Sequence, residues 1–178
     1  MRYWFLALGV LAACSHDSTQ RVRKNTETVS TRAEAKWPKK MTKRCKKLQP
    51  LVAKKATEYG VDRALVNGII RVESRFNPEA VSRVGASGLM QVMPSTAKGL
   101  RCGDLFDPEE NIDCGIRVLR GFLRYYKKDL IYSVSGYNAG FRIPNRARKK
   151  SALPSNIWYV ERVLAARARW LRQGCGDS

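Results

Sequence analysis

Of the side chains able to move a proton, Glu73 has the setting such chemistry needs. It lies in residues 62–76, Asp-Arg-Ala-Leu-Val-Asn-Gly-Ile-Ile-Arg-Val-Glu-Ser-Arg-Phe. Asp62 is a good helix N-cap, Gly60 stops any earlier helix, and Leu65, Val66, Ile69, Ile70 and Val72 recur at helical spacing. Glu73 follows Ile69 by four residues and Ile70 by three, so its carboxylate projects from the apolar face. Asn77-Pro78 then turns the chain out of helical geometry. A carboxyl group on an apolar face, at the negative end of a helix dipole and without a cation one turn away, should have a raised pKa. That is how a carboxyl becomes a general acid near neutral pH. Read from this helix alone, the alternative is a structural carboxylate that reaches solvent or an arginine such as Arg71 or Arg75.

Three further runs surround it: Glu73-Ser74-Arg75-Phe76-Asn77-Pro78-Glu79-Ala80-Val81-Ser82, then Gly85-Ala86-Ser87-Gly88-Leu89-Met90-Gln91-Val92-Met93-Pro94, and later Tyr137-Asn138-Ala139-Gly140. Together and in this order they resemble the catalytic domain of the soluble lytic transglycosylase family, the goose-lysozyme-like enzymes that cleave peptidoglycan glycan strands. The resemblance covers roughly residues 48–171. It implies a mainly α fold (α+β in the lysozyme sense), a single globular helical domain with a substrate cleft. It also implies a lyase in which neutral Glu73 protonates the oxygen between N-acetylmuramic acid and N-acetylglucosamine. The muramoyl acetamido oxygen then closes on C1, and ionised Glu73 takes the C6 hydroxyl proton to give a 1,6-anhydro sugar. Glycosidases usually use two carboxylates. Here Glu79 follows a proline in a loop, Asp104 and Asp107 sit in a loop and at a cap, and Glu161 lies among arginines, so none has a setting like that of Glu73. The resemblance gives Ser74 a supporting place beside the acid and Ser82 an orienting one. It has Gln91 bond the substrate's acetamido group and Met90 form an apolar wall beside the sugar. Tyr137 and Asn138 fall in a turn where Gly140 lets backbone approach the cleft, and the Tyr159 hydroxyl lies near the acid. Met90 and Tyr137 also fit core packing, and Gln91 a loop-capping amide. Two slots depart from the family pattern: Ser155 and Asn156 replace a Glu-Thr pair, and residues 141–150 are basic rather than glycine-rich. The alternatives are a hydrolytic muramidase on the same fold and a non-catalytic wall-binding lipoprotein.

The elements that must position these groups follow from periodicity and punctuation. A helix over 48–59 carries Leu48, Leu51, Val52 and Ala56 inward. Residues 78–88 read as a loop or short β-excursion, and Pro94 opens a short helix, 95–99. Asp107-Pro108-Glu109-Glu110 starts a helix running to Tyr126, with Ile112, Ile116, Leu119, Phe122 and Leu123 inward. A short helix over 129–136 ends at Tyr-Asn-Ala-Gly, residues 142–150 form a basic loop, and a last helix over 156–172 carries Val160, Val163, Leu164, Ala168 and Leu171.

The 178 residues fit one domain, and 44% hydrophobic residues can fill its core without a metal or cofactor. No cysteine pair has Cys-x-x-Cys spacing and the one histidine, His16, precedes the domain, so neither zinc nor histidine-based nucleophilic catalysis is expected. Residues 1–13 have a positive start, an apolar run too short to span a bilayer, and Leu11-Ala12-Ala13 before Cys14. They resemble a bacterial lipoprotein signal, which implies export, acylation of Cys14, and, with Ser15 after it, an outer-membrane anchor facing the periplasm. The other reading is an ordinary secretory signal. Residues 14–36 are polar and aperiodic, a tether that could reach roughly 70 Å, and residues 37–178 form the domain. With Cys14 lipidated, Cys45, Cys102, Cys114 and Cys175 allow three pairings. Cys102 with Cys114 is favoured because they flank a short loop and a helix start, which leaves Cys45 to tie to Cys175. The net charge of +19 calls for an anionic partner. An exported chain turns this away from nucleic acid and toward peptidoglycan carboxylates or envelope phosphates; the basic run over 37–47 is either solvated surface or a membrane-phosphate contact.

Overall fold

The computed structural model describes residues 37–176. The signal, Cys14, the tether and His16 lie outside the described residues. Within them the chain forms α1 (Lys39–Tyr59), α2 (Arg63–Glu73), α3 (Pro94–Leu100), α4 (Pro108–Tyr125), α5 (Leu130–Ala139), α6 (Arg142–Lys149) and α7 (Ile157–Gln173). The only β pairing among the described residues is two isolated antiparallel bridges, Val81 with Ser87 and Ser87 with Val92. The fold is therefore mainly α, as the sequence implies.

Three spans differ from expectation. α1 starts nine residues early, so the basic run is helical. Met41, Cys45, Leu48, Val52 and Ala56 form one buried stripe at spacings of four and three, while Lys43, Lys46 and Lys47 face solvent. Pro50, which suits a first turn, instead sits inside the helix on its exposed side. Residues 142–149 form α6 rather than a loop. Tyr137, Asn138 and Ala139 are the last turn of α5, and Gly140 ends it with φ of 67°. A Cβ on Gly140 would meet nothing within 4 Å, so what the glycine supplies within the fold is its positive φ. On α7, Val160 and Val163 are buried but Leu171 is 58% exposed.

The core is built around α2, whose Leu65, Val66, Ile69 and Ile70 are all shielded from water. Asp62 caps it, accepting from the Ala64 N–H at 2.8 Å. α2 packs most extensively on α7. The closeness depends on Gly68, where a Cβ would lie 2.8 Å from the Val163 carbonyl oxygen. Backbone cannot yield as a flexible side chain can, so an alanine here would push the two helices apart.

Both expected disulfides are present: Cys102–Cys114 ties the loop after α3 to α4, and Cys45–Cys175 ties α1 to the residues after α7, with Cα atoms 5.6 Å apart. The second closes a loop of 130 residues. Replacing Cys45 and Cys175 together with alanine is expected to remove about 2–5 kcal/mol of stability, read as a lower denaturant midpoint under non-reducing conditions.

Candidate active site

Glu73 is the last residue of α2, where the chain leaves the helix abruptly. Arg75 and Phe76 have φ of 53° and 61°, a left-handed pair that costs about 1–2 kcal/mol per non-glycine residue. Phe76 is fully buried with its ring 5.7 Å from that of Trp37, and this packing holds the turn. Such strain is found where a side chain must be aimed. The sequence gives no sign of it, because neither residue is a glycine or asparagine.

The Tyr159 hydroxyl, from α7, donates to Glu73 Oε1. Burial pushes the Glu73 carboxyl above its ordinary value, while the Tyr159 hydrogen bond and the Arg162 charge pull it partly back. Tyr159 and Tyr137 are pushed well above the ordinary phenol range, first by burial and then by the nearby Glu73 charge, so both stay protonated donors. No carboxylate contributes to the shift at Glu73. Glu79 and Glu161 are exposed. The cation that matters, Arg162, is one turn along α7 from Tyr159, whereas the sequence pointed to Arg71 or Arg75.

The loop of residues 85–93 forms the next wall. Ser74 is buried, and its hydroxyl donates to the Leu89 carbonyl at 2.7 Å and the Ile70 carbonyl at 3.2 Å. It fastens this loop to the end of α2 and does not face a cleft. Met90 is 0% exposed and lies against Gly115, so it is core and not a wall beside a sugar. Its backbone counts instead: its N–H donates to Asn111 Oδ1 at 2.8 Å, and its carbonyl accepts from the Tyr137 hydroxyl at 2.7 Å. Asn111 also donates to the Ser87 and Leu105 carbonyls at 2.9 and 2.8 Å. Gly88 is required there, since a Cβ would fall 2.1 Å from Asn111 Nδ2. Gln91 has φ of 50°, and its amide nitrogen donates to the Ala80 and Gly88 carbonyls at 2.9 and 3.0 Å. The loop-capping reading therefore holds for that nitrogen. Ser82 Oγ accepts from the Ala86 N–H at 3.0 Å, closing a turn rather than orienting the acid.

From α5, Tyr137 and exposed Asn138 complete the arrangement. Asn138 Oδ1 accepts from Asn156 Nδ2 at 2.9 Å, and Asn156 Oδ1 accepts from the Ser135 hydroxyl at 2.6 Å. Asn156, which stands at a slot where the sequence departs from the family, thus joins the start of α7 to the end of α5. Asn111 carried no motif and was missed. Only its position among buried apolar residues of α4 could have marked it. A groove of about 760 Å³ between Val61, Leu65, Arg124 and Lys128 lies at the opposite end of α2. Its volume does not make it the site, because the perturbed acid and its partners are elsewhere.

The family model of the transglycosylase SLT domain matches residues 50–157. Similar curated proteins include the membrane-bound lytic murein transglycosylase C of Photorhabdus laumondii, 37% identical over 138 residues, covering 65% of this chain and 38% of that protein. A transglycosylase of Enterobacteria phage PRD1 is 37% identical over 102 residues, covering 57% of this chain and 38% of that protein. Among solved structures, the 70 kDa soluble lytic transglycosylase of Escherichia coli superposes with a TM-score of 0.64 at 28% identity, over 70% of this chain and 24% of that one. The chain thus spans well under half the length of these relatives.

Proposed function

We propose, from the premise that this chain belongs to the transglycosylase SLT domain family, that it cleaves the β-1,4 bond between N-acetylmuramic acid and N-acetylglucosamine in peptidoglycan without consuming water. The reading rests chiefly on Glu73, a carboxyl group whose pKa burial raises above its ordinary value and which a tyrosine hydroxyl holds. Protonated Glu73 gives its proton to the leaving glycosidic oxygen. The muramoyl acetamido oxygen bonds to C1 as the leaving oxygen departs, giving an oxazolinium; Glu73, now ionised, accepts the C6 hydroxyl proton as O6 attacks C1 and the bond from C1 to the acetamido oxygen breaks. The 1,6-anhydro sugar is the product. One group serving as acid and then base works best with a pKa near the working pH. Tyr159 steadies the charged form between the two steps. Gln91 Oε1, which has no partner among the described residues, and exposed Asn138 are the proposed substrate contacts.

Relatives named as membrane-bound support a place in the cell envelope. Acylation at Cys14 and a periplasm-facing outer-membrane position complete that proposal. Among the described residues no helix is long and apolar enough to cross a membrane. Mass spectrometry of digested sacculi tests the reaction. Anhydro ends support it, and reducing ends, heavier by one water, replace it with hydrolysis.

Tyr159→Phe gives a prediction with a definite sign. The hydroxyl lowers the Glu73 pKa, so its loss raises that pKa further. Activity needs the protonated acid and falls as pH rises through this pKa. The falling limb of the kcat/KM profile is therefore expected to move to higher pH, with a lower maximum because the carboxyl is less well held. A limb that stays in place or moves down would remove Tyr159 from this role.

A further inference from the structure

α6 and the residue after it carry Arg142, Arg146, Arg148, Lys149 and Lys150, with no acidic residue over 139–160. Arg142, Arg146 and Lys150 are spaced by four, which puts them on one face. They line a pocket of about 420 Å³ together with Leu153 and Ser155. None of the three has a carboxylate within ion-pairing distance among the described residues, although Lys54, Lys55, Arg117 and Arg167 do. Like charges one turn apart repel. The helix dipole explains cations near the C-terminal end of α6, but it disfavours Arg142 at the first position. Helix stability therefore does not account for the row, whereas an anion in the pocket would relieve it.

The position of the pocket says which anion. α6 starts just after the helix that carries Tyr137 and Asn138. Ser155, on the pocket wall, directly precedes Asn156, which is hydrogen-bonded to Asn138. Tyr159, bound to the acid, is about one helical turn further on. The muramic acid sugar at such a site bears a peptide branch ending in carboxylates, and its volume suits a pocket of this size. Arginine forks pair with carboxylates in two parallel hydrogen bonds. We infer that Arg142, Arg146 and Lys150 bind the carboxylates of the peptide branch beside the cleavage site and make the protein selective for peptide-bearing strands. The inference rests on the peptidoglycan reading of the site.

The test measures binding to the Glu73→Gln protein, so that no substrate is turned over. The probes are a disaccharide carrying its tetrapeptide and the same disaccharide with the peptide removed. The peptide-bearing form is expected to bind on the order of tenfold more tightly at low salt, with the difference shrinking as salt rises. Adding Arg142→Gln, Arg146→Gln and Lys150→Gln should erase the difference and leave the bare disaccharide unaffected. Lys43→Gln, Lys46→Gln and Lys47→Gln on exposed positions of α1 remove the same charge and should preserve it. Equal binding of the two probes, a preference that survives the α6 changes, or an equal loss in the α1 control would overturn the inference. Anhydro ends released by the protein with Glu73 intact report on the reaction separately. Anhydro products without peptide preference sink only the pocket, and peptide preference without anhydro products sinks only the reaction.

Discussion

Glu73→Gln is expected to lower strand cleavage at least about 10³-fold while the protein folds and binds wall material normally. A positioned acid or base contributes on the order of 10²–10⁴ in rate, and this residue is asked to be both. Glutamine keeps the size and can still accept from Tyr159, but it has no proton to give to the glycosidic oxygen and cannot take one from the C6 hydroxyl. The same change should make the protein more stable at pH 7. Burial raises the folded-state pKa of Glu73 above the ordinary value of 4.5, so the native state holds a proton that the unfolded chain releases. The stabilisation is therefore complete below that ordinary value and is lost as pH rises toward the folded-state pKa. Glutamine does not titrate, and its thermal midpoint should exceed that of the parent at neutral pH and match it near pH 4. A variant with unchanged cleavage, or one no more stable than the parent at pH 7, would contradict a buried acid at this position.

The largest stability effect of a single substitution is expected away from the acid. Asn111→Ala leaves the Met90 N–H buried without its partner and removes the hydrogen bonds to the Ser87 and Leu105 carbonyls, of which the Ser87 carbonyl keeps the Val92 N–H at 3.0 Å. The orphaned N–H costs about 1–3 kcal/mol and each lost hydrogen bond about 0.5–1.5 kcal/mol, so a loss of about 2–4 kcal/mol is expected in denaturant unfolding. Domains of this size have roughly 5–15 kcal/mol in all, so the variant should be marginal at 37 °C. Asn111→Asp should be no better. It keeps the acceptor for Met90 but sets a carboxylate against two carbonyl oxygens. Activity per folded molecule should also fall, because the Met90 carbonyl that holds Tyr137 is positioned from the other side by Asn111. A loss below 1 kcal/mol would mean the loop is held by something else.

The acid and its helix were legible because periodicity, an N-cap and a proline stop all act within a dozen residues. The same local logic found the start of α4 at Asp107, which accepts from the Glu110 N–H at 2.9 Å. It failed where charge hid a helix. Lysines mask the buried stripe of Met41 and Cys45 in α1, and the five cations over 142–150 made α6 look like a loop although Pro144 and Ala147 are buried on its inner side. Side-chain roles were less legible than positions. Ser74, Ser82 and Met90 sit in the motifs expected of a site, but Ser74 and Ser82 give their polar groups to backbone and Met90 turns its side chain inward. A motif marks which residues are held near one another. It does not say whether a side chain touches substrate or braces a neighbour that does, because that depends on partners distant in sequence, such as Asn111 and Asn156.

The crosslink between Cys45 and Cys175 has an architectural consequence. With Gly176 close enough that a Cβ there would come within 3.9 Å of Trp37, the first and last described residues meet at one spot. A domain whose ends coincide can be spliced into a longer polypeptide, or rejoined head to tail and reopened at an exposed corner such as Ser151, without disturbing its interior. The helical domain then behaves as a portable cassette, able to be fitted to whatever neighbouring segments carry it to its place of work.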